Sequence, residues 1–297
     1  IYHSALHAAD VPGRVRDLLP MTFASLFLNA TTPLFGAAGA ALFIDDANRQ
    51  GRPVARTAAA MILVLLANYG AFTLILVPAL VFLSWRQALT TLELTSAIIL
   101  LLIVGGLLAV LALGVRWPIL PQRLLEIVQQ ATNGLTRRLG RPPFLATDWA
   151  KVHAAEVKAA GVAMAAHPGR LLRTLVIALT AHLTSAASLF CLFLAFHQPV
   201  QLTILWSAYA MTTLFWIVSP TPSGVGIVEA LLPLVYVALG VPAEAGTIIN
   251  LSFRGLSFWL PVFVGFILLR RIAFRVAQPA GLGYDRAART AARICSR

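Results

Sequence analysis

The strongest constraint on this chain is a set of three long apolar runs without Asp, Glu, Lys or Arg, at residues 57–84, 94–115 and 174–196. A helix of about 20 apolar residues spans the hydrocarbon core of a bilayer, and each run is at least that long. The runs are apolar on all sides, whereas strands of a membrane β-barrel alternate between apolar and polar residues. They therefore predict an all-α, polytopic membrane helical bundle.

The composition agrees with this prediction. Hydrophobic residues make up 59% of the chain and charged residues 11%, whereas a soluble domain carries about 25% charged residues. The two cysteines, Cys191 in an apolar run and Cys295 near the C-terminus, indicate neither a disulfide framework nor a zinc site. We treat residues 1–297 as a single membrane domain and expect no metal and no cofactor.

The basic residues lie in the polar connections, and the net charge is +12. Cytoplasmic loops are enriched in Lys and Arg, although basic residues can also attract anionic lipid headgroups. Four basic segments are expected on the cytoplasmic side: Arg14 with Arg16, Arg49 with Arg52 and Arg56, residues 116–173, and residues 270–297. The connections at 85–93, 197–199 and 241–244 carry one basic residue or none and are expected outside.

Residues 18–44 are flanked by Arg on both sides and contain Asn29-Ala-Thr-Thr-Pro33 in the middle, which we call the first break. Each half has only 12 or 13 residues. A helix of that length covers about 20 Å, less than the roughly 30 Å of the hydrocarbon core. We therefore expect a re-entrant helical hairpin that enters and leaves on the cytoplasmic side.

Residues 200–240 begin and end in connections without basic residues and are interrupted at Ser219-Pro-Thr-Pro-Ser-Gly224. We expect a second re-entrant hairpin, entering from outside; alternatively, 200–219 and 224–240 both span. A long apolar run follows each hairpin, so the halves form an inverted-topology repeat. Broken helices at matching positions indicate a transporter's binding site near the midplane, although Pro and Gly also kink ordinary packed membrane helices.

The other segments complete the predicted order. Residues 57–115 form two spanning helices, residues 171–196 a third and residues 243–269 a fourth. Residues 116–170 mix apolar and charged positions, which is typical of an amphipathic helix at the cytoplasmic interface or of a linker helix packed on the bundle. Residues 270–297 form a basic cytoplasmic tail.

Two ionisable residues, Glu229 and Arg254, lie inside apolar segments, where charged side chains are costly and mark functional sites. If 224–240 and 243–269 form an antiparallel pair, each residue lies about 12 positions, or roughly 18 Å, from the turn. The two residues then share one depth. Either they form an ion pair that only neutralises both charges, or Arg254 also binds a lipid phosphate. In the second case Glu229 holds Arg254 in place or exchanges with the phosphate as its partner.

The helix after the second interruption points unsatisfied amide groups into the membrane, which favours anion binding. Alternatively, Thr221 or Ser223 caps that helix, and Gly224 and Gly226 permit close helix contact. The candidate headgroup-binding residues besides Glu229 and Arg254 are Ser219, Thr221, Ser223, Gly224, Gly226, Asn29, Thr31, Thr32 and Asn250, the last lying one helical turn before Arg254.

The sequence contains no recognisable catalytic signature. Acid-base or metal catalysis needs several convergent titratable groups, and neither a nucleophile elbow nor a P-loop is present. His182 stands alone in an apolar run, and we interpret it as an interhelical hydrogen-bonding residue rather than a proton carrier. We therefore expect no catalytic residues and no ATP-driven pumping by this chain.

The stretch Ser219-Pro-Thr-Pro-Ser-Gly-Val-Gly-Ile-Val-Glu229 resembles the Pro-x-Pro-Gly-Gly-x-Gly-x-x-Glu stretch of the lysylphosphatidylglycerol synthase transmembrane, or flippase-like, family. The segments Ala238-Leu-Gly-Val-Pro242, Asn250-Leu-Ser-Phe-Arg254 and Phe258-Trp-Leu-Pro261 resemble its next helix, and His167-Pro-Gly-Arg-Leu-Leu172 resembles the start of its central spanning helix. There are two departures. Ser223 stands where Gly is usual, and residues 33–39 lack the acid and Arg that often follow the first Pro.

The resemblance implies binding or movement of envelope lipids, typified by aminoacylated phosphatidylglycerol, with hopanoid or other lipids in related members. Glu229 and Arg254 match the family's intramembrane pair. We expect a stand-alone, non-enzymatic lipid flippase or lipid-binding transporter in the bacterial cytoplasmic (inner) membrane, with a midplane cavity for a phosphate-bearing headgroup. Its expected partners are anionic or phosphate-bearing membrane lipids and a lipid-synthesising enzyme, not nucleic acid.

Two other functional classes stay open. The first is a membrane-embedded enzyme acting on a lipid-linked substrate, in which Glu229 serves as the general base. The second is a scaffold that recruits a lipid synthase through residues 116–170 and has no internal cavity.

Overall fold

The computed structural model describes residues 1–32, 36–87, 89–116, 149–199 and 201–277, together with residues 126, 127, 129, 130 and 133. Within these residues all regular secondary structure is helical. Four stretches there are long and apolar enough to cross a membrane: Val54–Trp85, Thr91–Ala112, Pro168–Ala195 and Ala243–Arg270. The prediction of an all-α, multi-pass membrane protein is confirmed.

Eleven helices are described in chain order: α1 Tyr2–Ala8, α2 Val15–Thr31, α3 Ala37–Arg49, α4 Val54–Trp85, α5 Thr91–Arg116, α6 Trp149–Ala166, α7 Pro168–Ala195, α8 Leu202–Val218, α9 Ile227–Ala238, α10 Ala243–Arg254 and α11 Leu260–Ala277. A 3-10 turn, Pro222–Gly224, lies between α8 and α9, and a π-helical turn, Gly255–Trp259, joins α10 to α11. Most of residues 117–148, which belong to the amphipathic segment predicted at 116–170, and the end of the basic tail lie outside the described residues.

Helices α4 and α8 form the centre of the bundle. Both are apolar on every side, a pattern typical of a helix that is surrounded by other helices. Phe72 and Leu76 of α4 pack in one cluster with Met211 and Leu214 of α8 and with Phe193 of α7. By contrast, α5 exposes much of its apolar surface, with Leu102 70% exposed, as expected of a helix that faces lipid.

The shorter helices α2 and α3 pack against each other at Gly39. The Gly39 amide donates a hydrogen bond to Asn29 Oδ1 over 2.7 Å, and a Cβ atom on Gly39 would lie 2.6 Å from Asn29 Nδ2. On its other side α2 packs against α11, where a Cβ on Gly265 would collide with the Phe23 carbonyl. These contacts place α2 between α3 and α11.

The N-terminal helix α1 has no counterpart in the sequence prediction, because seven residues are too few to show a helical period. It packs against α4 and α7, and the hydroxyls of Ser4 and Thr174 lie 2.8 Å apart. At its end, Asp10 pairs with Arg170 of α7 over 2.7 Å. The Ala55 amide of α4 also donates to Glu156 of α6 over 2.9 Å. Several Arg-rich connections therefore meet at one end of the bundle.

Helices α9 and α10 form the antiparallel pair that the sequence predicts. They are joined at Gly240, whose φ of 84° is in the left-handed region, and they approach closely because a Cβ on Gly246 would lie 2.6 Å from Tyr236 Cβ. The spanning helix predicted for residues 243–269 matches a helical stretch, Ala243–Arg270, that is long and apolar enough to cross a membrane. It is continuous but contains the π-helical turn directly after Arg254, and hydrophobic periodicity carries no signal for one extra residue in a turn.

Candidate functional site

The connection between α8 and α9, residues 219–226, is the second break of the chain. Pro220 and Pro222 cannot donate the backbone hydrogen bonds that would continue α8. Ser223, Gly224 and Gly226 then adopt φ angles of 49°, 72° and 86°. Glycine reaches this left-handed region without steric cost. The two glycines therefore allow the backbone conformation of the break, and they do not serve close helix contact alone.

The first turn of α9 is closed by its own carboxylate. Glu229 Oε2 accepts a hydrogen bond from the Gly226 amide over 2.7 Å, as a side chain at the third helical position does in a capping box. Capping by Thr221 or Ser223 is wrong: the Thr221 hydroxyl instead pairs with the Ser219 hydroxyl over 2.8 Å. The second carboxylate oxygen of Glu229 is left to face α10.

Arg254, which is only 3% exposed, occupies the centre of the site. Its Nε lies 2.5 Å from Glu229 Oε1, but the N–H is not aligned with that oxygen, so the contact is ionic rather than a directional hydrogen bond. Nη2 donates to the Ser223 carbonyl over 3.2 Å, and the guanidinium carbon lies 4.8 Å from the Phe258 ring centre. The ion pair predicted from equal depth is present.

The first break meets the second break at this point. The Ser223 hydroxyl donates to the Asn29 carbonyl over 3.3 Å, and Asn29 in turn holds the start of α3 through Gly39. Thr31 and Thr32 both bond back to the Leu28 carbonyl of their own helix, over 3.0 and 2.7 Å. Residues 194 positions apart in sequence thus form one polar cluster.

This cluster borders a cavity of about 370 Å³ between α2, α4, α7, α8, α10 and α11. Its lining includes the following candidate residues: Asn29, Thr32, Ser219, Thr221, Ser223 and Arg254. Glu229, Gly224, Gly226 and Thr31 lie outside the lining. Small-molecule sites in proteins measure about 300–1,000 Å³, so this cavity is large enough for a lipid headgroup.

Asn250 does not face the cavity, and that prediction is wrong. Its side chain is 1% exposed, and neither side-chain atom has a hydrogen-bond partner among the described residues. It lies beside Ile249, which belongs to the main apolar core. Helix α10 also packs against α7 and α9. A residue one helical turn from Arg254 on the same face of α10 therefore does not necessarily reach the cavity.

The comparison with known families agrees with this arrangement. The sequence model of the family described as the lysylphosphatidylglycerol synthase TM region matches residues 2–265, which includes both breaks, Glu229 and Arg254. The chain belongs to this family. Searches of curated proteins and of solved structures found no match.

Ser223 stands where the resembling family stretch has Gly, and the backbone at this position favours glycine. Its φ of 49° and ψ of 30° lie in the left-handed region, which costs an L-residue about 1–2 kcal/mol. The serine hydroxyl offsets part of this cost through its bond to the Asn29 carbonyl. In this member of the lysylphosphatidylglycerol synthase TM family, the substitution adds a contact between the two breaks.

Sequence reasoning identified His182 but missed the polar residues around it. His182 Nδ1 lies 2.7 Å from the Tyr209 hydroxyl and Nε2 lies 3.1 Å from the Asn68 carbonyl, so the predicted interhelical hydrogen bonding is confirmed. All three residues line the cavity, as do Thr212 and Thr213. Tyr209, Thr212 and Thr213 follow the i, i+3, i+4 spacing of one helix face, and that spacing was the available signal.

A carboxylate outside the cavity, Glu93 of α5, is buried and has a structural role. It is 5% exposed and accepts hydrogen bonds from the amide of Thr90, over 2.8 Å, and from its hydroxyl. This arrangement caps the start of α5. Glu93 borders a separate cavity of about 150 Å³, and no group of three or more His, Cys, Asp or Glu suited to a metal occurs in the described part of the chain.

Proposed function

We propose that this chain is a lipid transporter that binds a phosphate-bearing headgroup beside Arg254 and moves the lipid across the bilayer. The observation that carries the proposal is a buried arginine in the wall of a cavity inside a membrane bundle. A charged side chain within a membrane segment is costly and is typical of substrate pathways. Membership of a family named for a phospholipid synthase is consistent with a lipid ligand.

The chemistry of Arg254 favours a phosphate. A guanidinium has five N–H donors in one plane, which match the oxygens of phosphate in pairs. Nε faces Glu229 and one Nη2 hydrogen is directed to Ser223. The remaining donors are available to an anion in the cavity, while Glu229 and Phe258 hold the guanidinium in position.

Re-entrant hairpins are part of the same proposal. Helices α2, α3, α8 and α9 have 17, 13, 17 and 12 residues, so they extend about 25, 20, 25 and 18 Å at 1.5 Å per residue. All four lengths are below the roughly 30 Å of the hydrocarbon core. The contact between the breaks supports two hairpins that enter from opposite faces as an inverted repeat, with the Arg-rich ends cytoplasmic in a bacterial inner membrane.

An enzyme with Glu229 as general base has less support than transport. One Glu229 oxygen contacts Arg254, the other accepts from the Gly226 amide, and the residue lies outside the cavity lining. A general base must reach the proton that it removes. A scaffold would not require a cavity lined by a buried arginine, so we expect the chain to act as a non-enzymatic transporter.

A fluorescent-lipid assay in proteoliposomes, with dithionite quenching of the outer leaflet, tests this proposal. Glu229→Gln leaves the buried Arg254 charge unpaired, which costs about 3–5 kcal/mol in other proteins, so the double variant Glu229→Gln with Arg254→Gln is the decisive sample. We expect it to fold and to lose lipid movement, because the phosphate contact is gone.

Glu93→Gln is the matched control, since it neutralises a buried carboxylate away from the cavity, and it should transport like the wild type. A folded double variant that moves anionic lipid at the wild-type rate would overturn the site assignment.

A further inference from the structure

An uncharged imidazole satisfies both hydrogen bonds of His182. Nε2 lies 3.1 Å from the Asn68 carbonyl, and a carbonyl oxygen only accepts, so Nε2 carries a hydrogen. In the neutral ring the opposite nitrogen, Nδ1, accepts from the Tyr209 hydroxyl over 2.7 Å. Both ring nitrogens are satisfied without a charge. Ser185 and Thr213 lie within hydrogen-bonding reach of the Tyr209 oxygen.

Asn68, His182, Ser185, Tyr209 and Thr213 form what we call the neutral wall of the cavity. Each carries hydrogen-bonding groups and none carries a formal charge. The Asn68 carboxamide has no protein partner in the part of the chain that the structure describes, although it lines the cavity. The neutral wall therefore offers donors and acceptors that a ligand can use.

The neutral wall lies close to Arg254. The Tyr209 ring packs edge-on against Phe253, with ring centres 6.3 Å apart, and Phe253 directly precedes Arg254 in α10. All three residues line the same cavity. A ligand whose phosphate contacts Arg254 would place its next atoms near these uncharged groups.

Within the part of the chain that the structure describes, the cavity lining offers an ammonium group no carboxylate. Among the described residues, Arg254 is the one Asp, Glu, Lys or Arg side chain in the lining. Glu229, the nearest acid in the site, is engaged by Arg254 and by the Gly226 amide. A cation removed from water is costly unless it is paired, so an ammonium group in this cavity would lack a carboxylate counter-ion.

From these observations we infer that the ligand is a lipid whose phosphate carries an uncharged, hydroxylated group, and not an aminoacylated or zwitterionic headgroup. The inference rests on the proposed function and names the substrate class of the same cavity. Arg254 binds the phosphate, and the neutral wall bonds to the hydroxyl groups.

Equilibrium binding of short-chain lipid probes to the purified protein tests this inference. Phosphatidylglycerol carries two hydroxyls beyond its phosphate, and phosphatidylethanol carries the same charge without them. Lysylphosphatidylglycerol adds ammonium groups and esterifies one of the two hydroxyls. We expect phosphatidylglycerol to bind about tenfold more tightly than phosphatidylethanol, given the usual strength of a hydrogen bond. Lysylphosphatidylglycerol should bind more weakly than phosphatidylglycerol, and glycerol 3-phosphate more weakly than the lipid.

Asn68→Leu and Tyr209→Phe should reduce the preference for phosphatidylglycerol over phosphatidylethanol to below about threefold, because each removes hydrogen-bonding groups of the neutral wall. Binding of phosphatidylethanol itself should not change, since it depends on Arg254. Thr73→Val is the matched control: Thr73 lies in α4, bonds only to the Tyr69 carbonyl over 2.8 Å and does not line the cavity. It should keep the full preference.

Four results would overturn the inference. The first two are equal binding of phosphatidylglycerol and phosphatidylethanol, and tighter binding of lysylphosphatidylglycerol than of phosphatidylglycerol. The others are no binding of any lipid, and an unchanged preference for phosphatidylglycerol in both Asn68→Leu and Tyr209→Phe. Tighter binding of glycerol 3-phosphate would overturn the lipid as the source of the phosphate. A different result would contradict the proposed transport function alone. In that case the purified protein would still prefer phosphatidylglycerol over phosphatidylethanol, but proteoliposomes would show no lipid movement.

Discussion

At the scale of single residues, Arg254 and Ser223 connect the two halves of the chain. Arg254 contacts Glu229, the Ser223 carbonyl and the Phe258 ring, and Ser223 bonds onward to Asn29. The depth of Glu229 and Arg254 could be predicted because helical rise converts sequence distance into height. The left-handed conformation of Ser223 could not, since it follows from how the second break meets α2 and α10.

Substitution of Ser223 separates backbone strain from hydrogen bonding. Ser223→Ala keeps the left-handed strain and loses the bond to the Asn29 carbonyl, so we expect a destabilisation of about 1 kcal/mol. Ser223→Gly loses the same bond but relieves strain of about 1 kcal/mol or more, so its stability should stay near that of the wild type. Reversible unfolding in detergent measures both. An alanine variant as stable as the glycine variant would contradict the strain at this position.

At the scale of helices, close contacts at glycines hold the short helices against the long ones. The long apolar runs predicted the spanning helices well, because hydrophobic length is set by the bilayer. The contacts of α2 could not be predicted, since a glycine in an apolar helix looks the same in sequence whether it faces a backbone or lipid. Gly265 faces the Phe23 carbonyl, whereas a Cβ atom on Gly105 of α5 would meet no other atom within 4 Å.

These two glycines form a matched pair for a stability test. Gly265→Ala would force α2 and α11 apart, because its Cβ would overlap the Phe23 carbonyl and lie 3.1 Å from Phe27 Cβ. We expect a loss of about 1–3 kcal/mol, the range for overpacking. Gly105→Ala adds a methyl group in open space and should be neutral or slightly stabilising, because alanine favours helix. Thermal unfolding that is equal in both variants would contradict the packing of α2 against α11.

At the scale of the whole molecule, the two breaks and three of the spanning helices enclose one cavity. The sequence predicted that the breaks matter, because polar and helix-breaking residues are unusual in apolar segments. It did not predict that α4, α7 and α8 contribute the neutral wall, since Asn68 and Tyr209 belong to runs that look uniformly apolar. Helical phase alone assigns Asn250 to the cavity, but the packing of α7 and α9 places it in the core instead.

The most direct measurement of the central claim is an experimental structure of the protein in lipid nanodiscs that contain phosphatidylglycerol. We expect a lipid phosphate in the cavity, with its oxygens about 2.7–3.2 Å from the Arg254 guanidinium nitrogens, and its headgroup hydroxyls near Asn68 and Tyr209. Ordered lipids seen only on the outer surface, with no phosphate beside Arg254, would contradict the account.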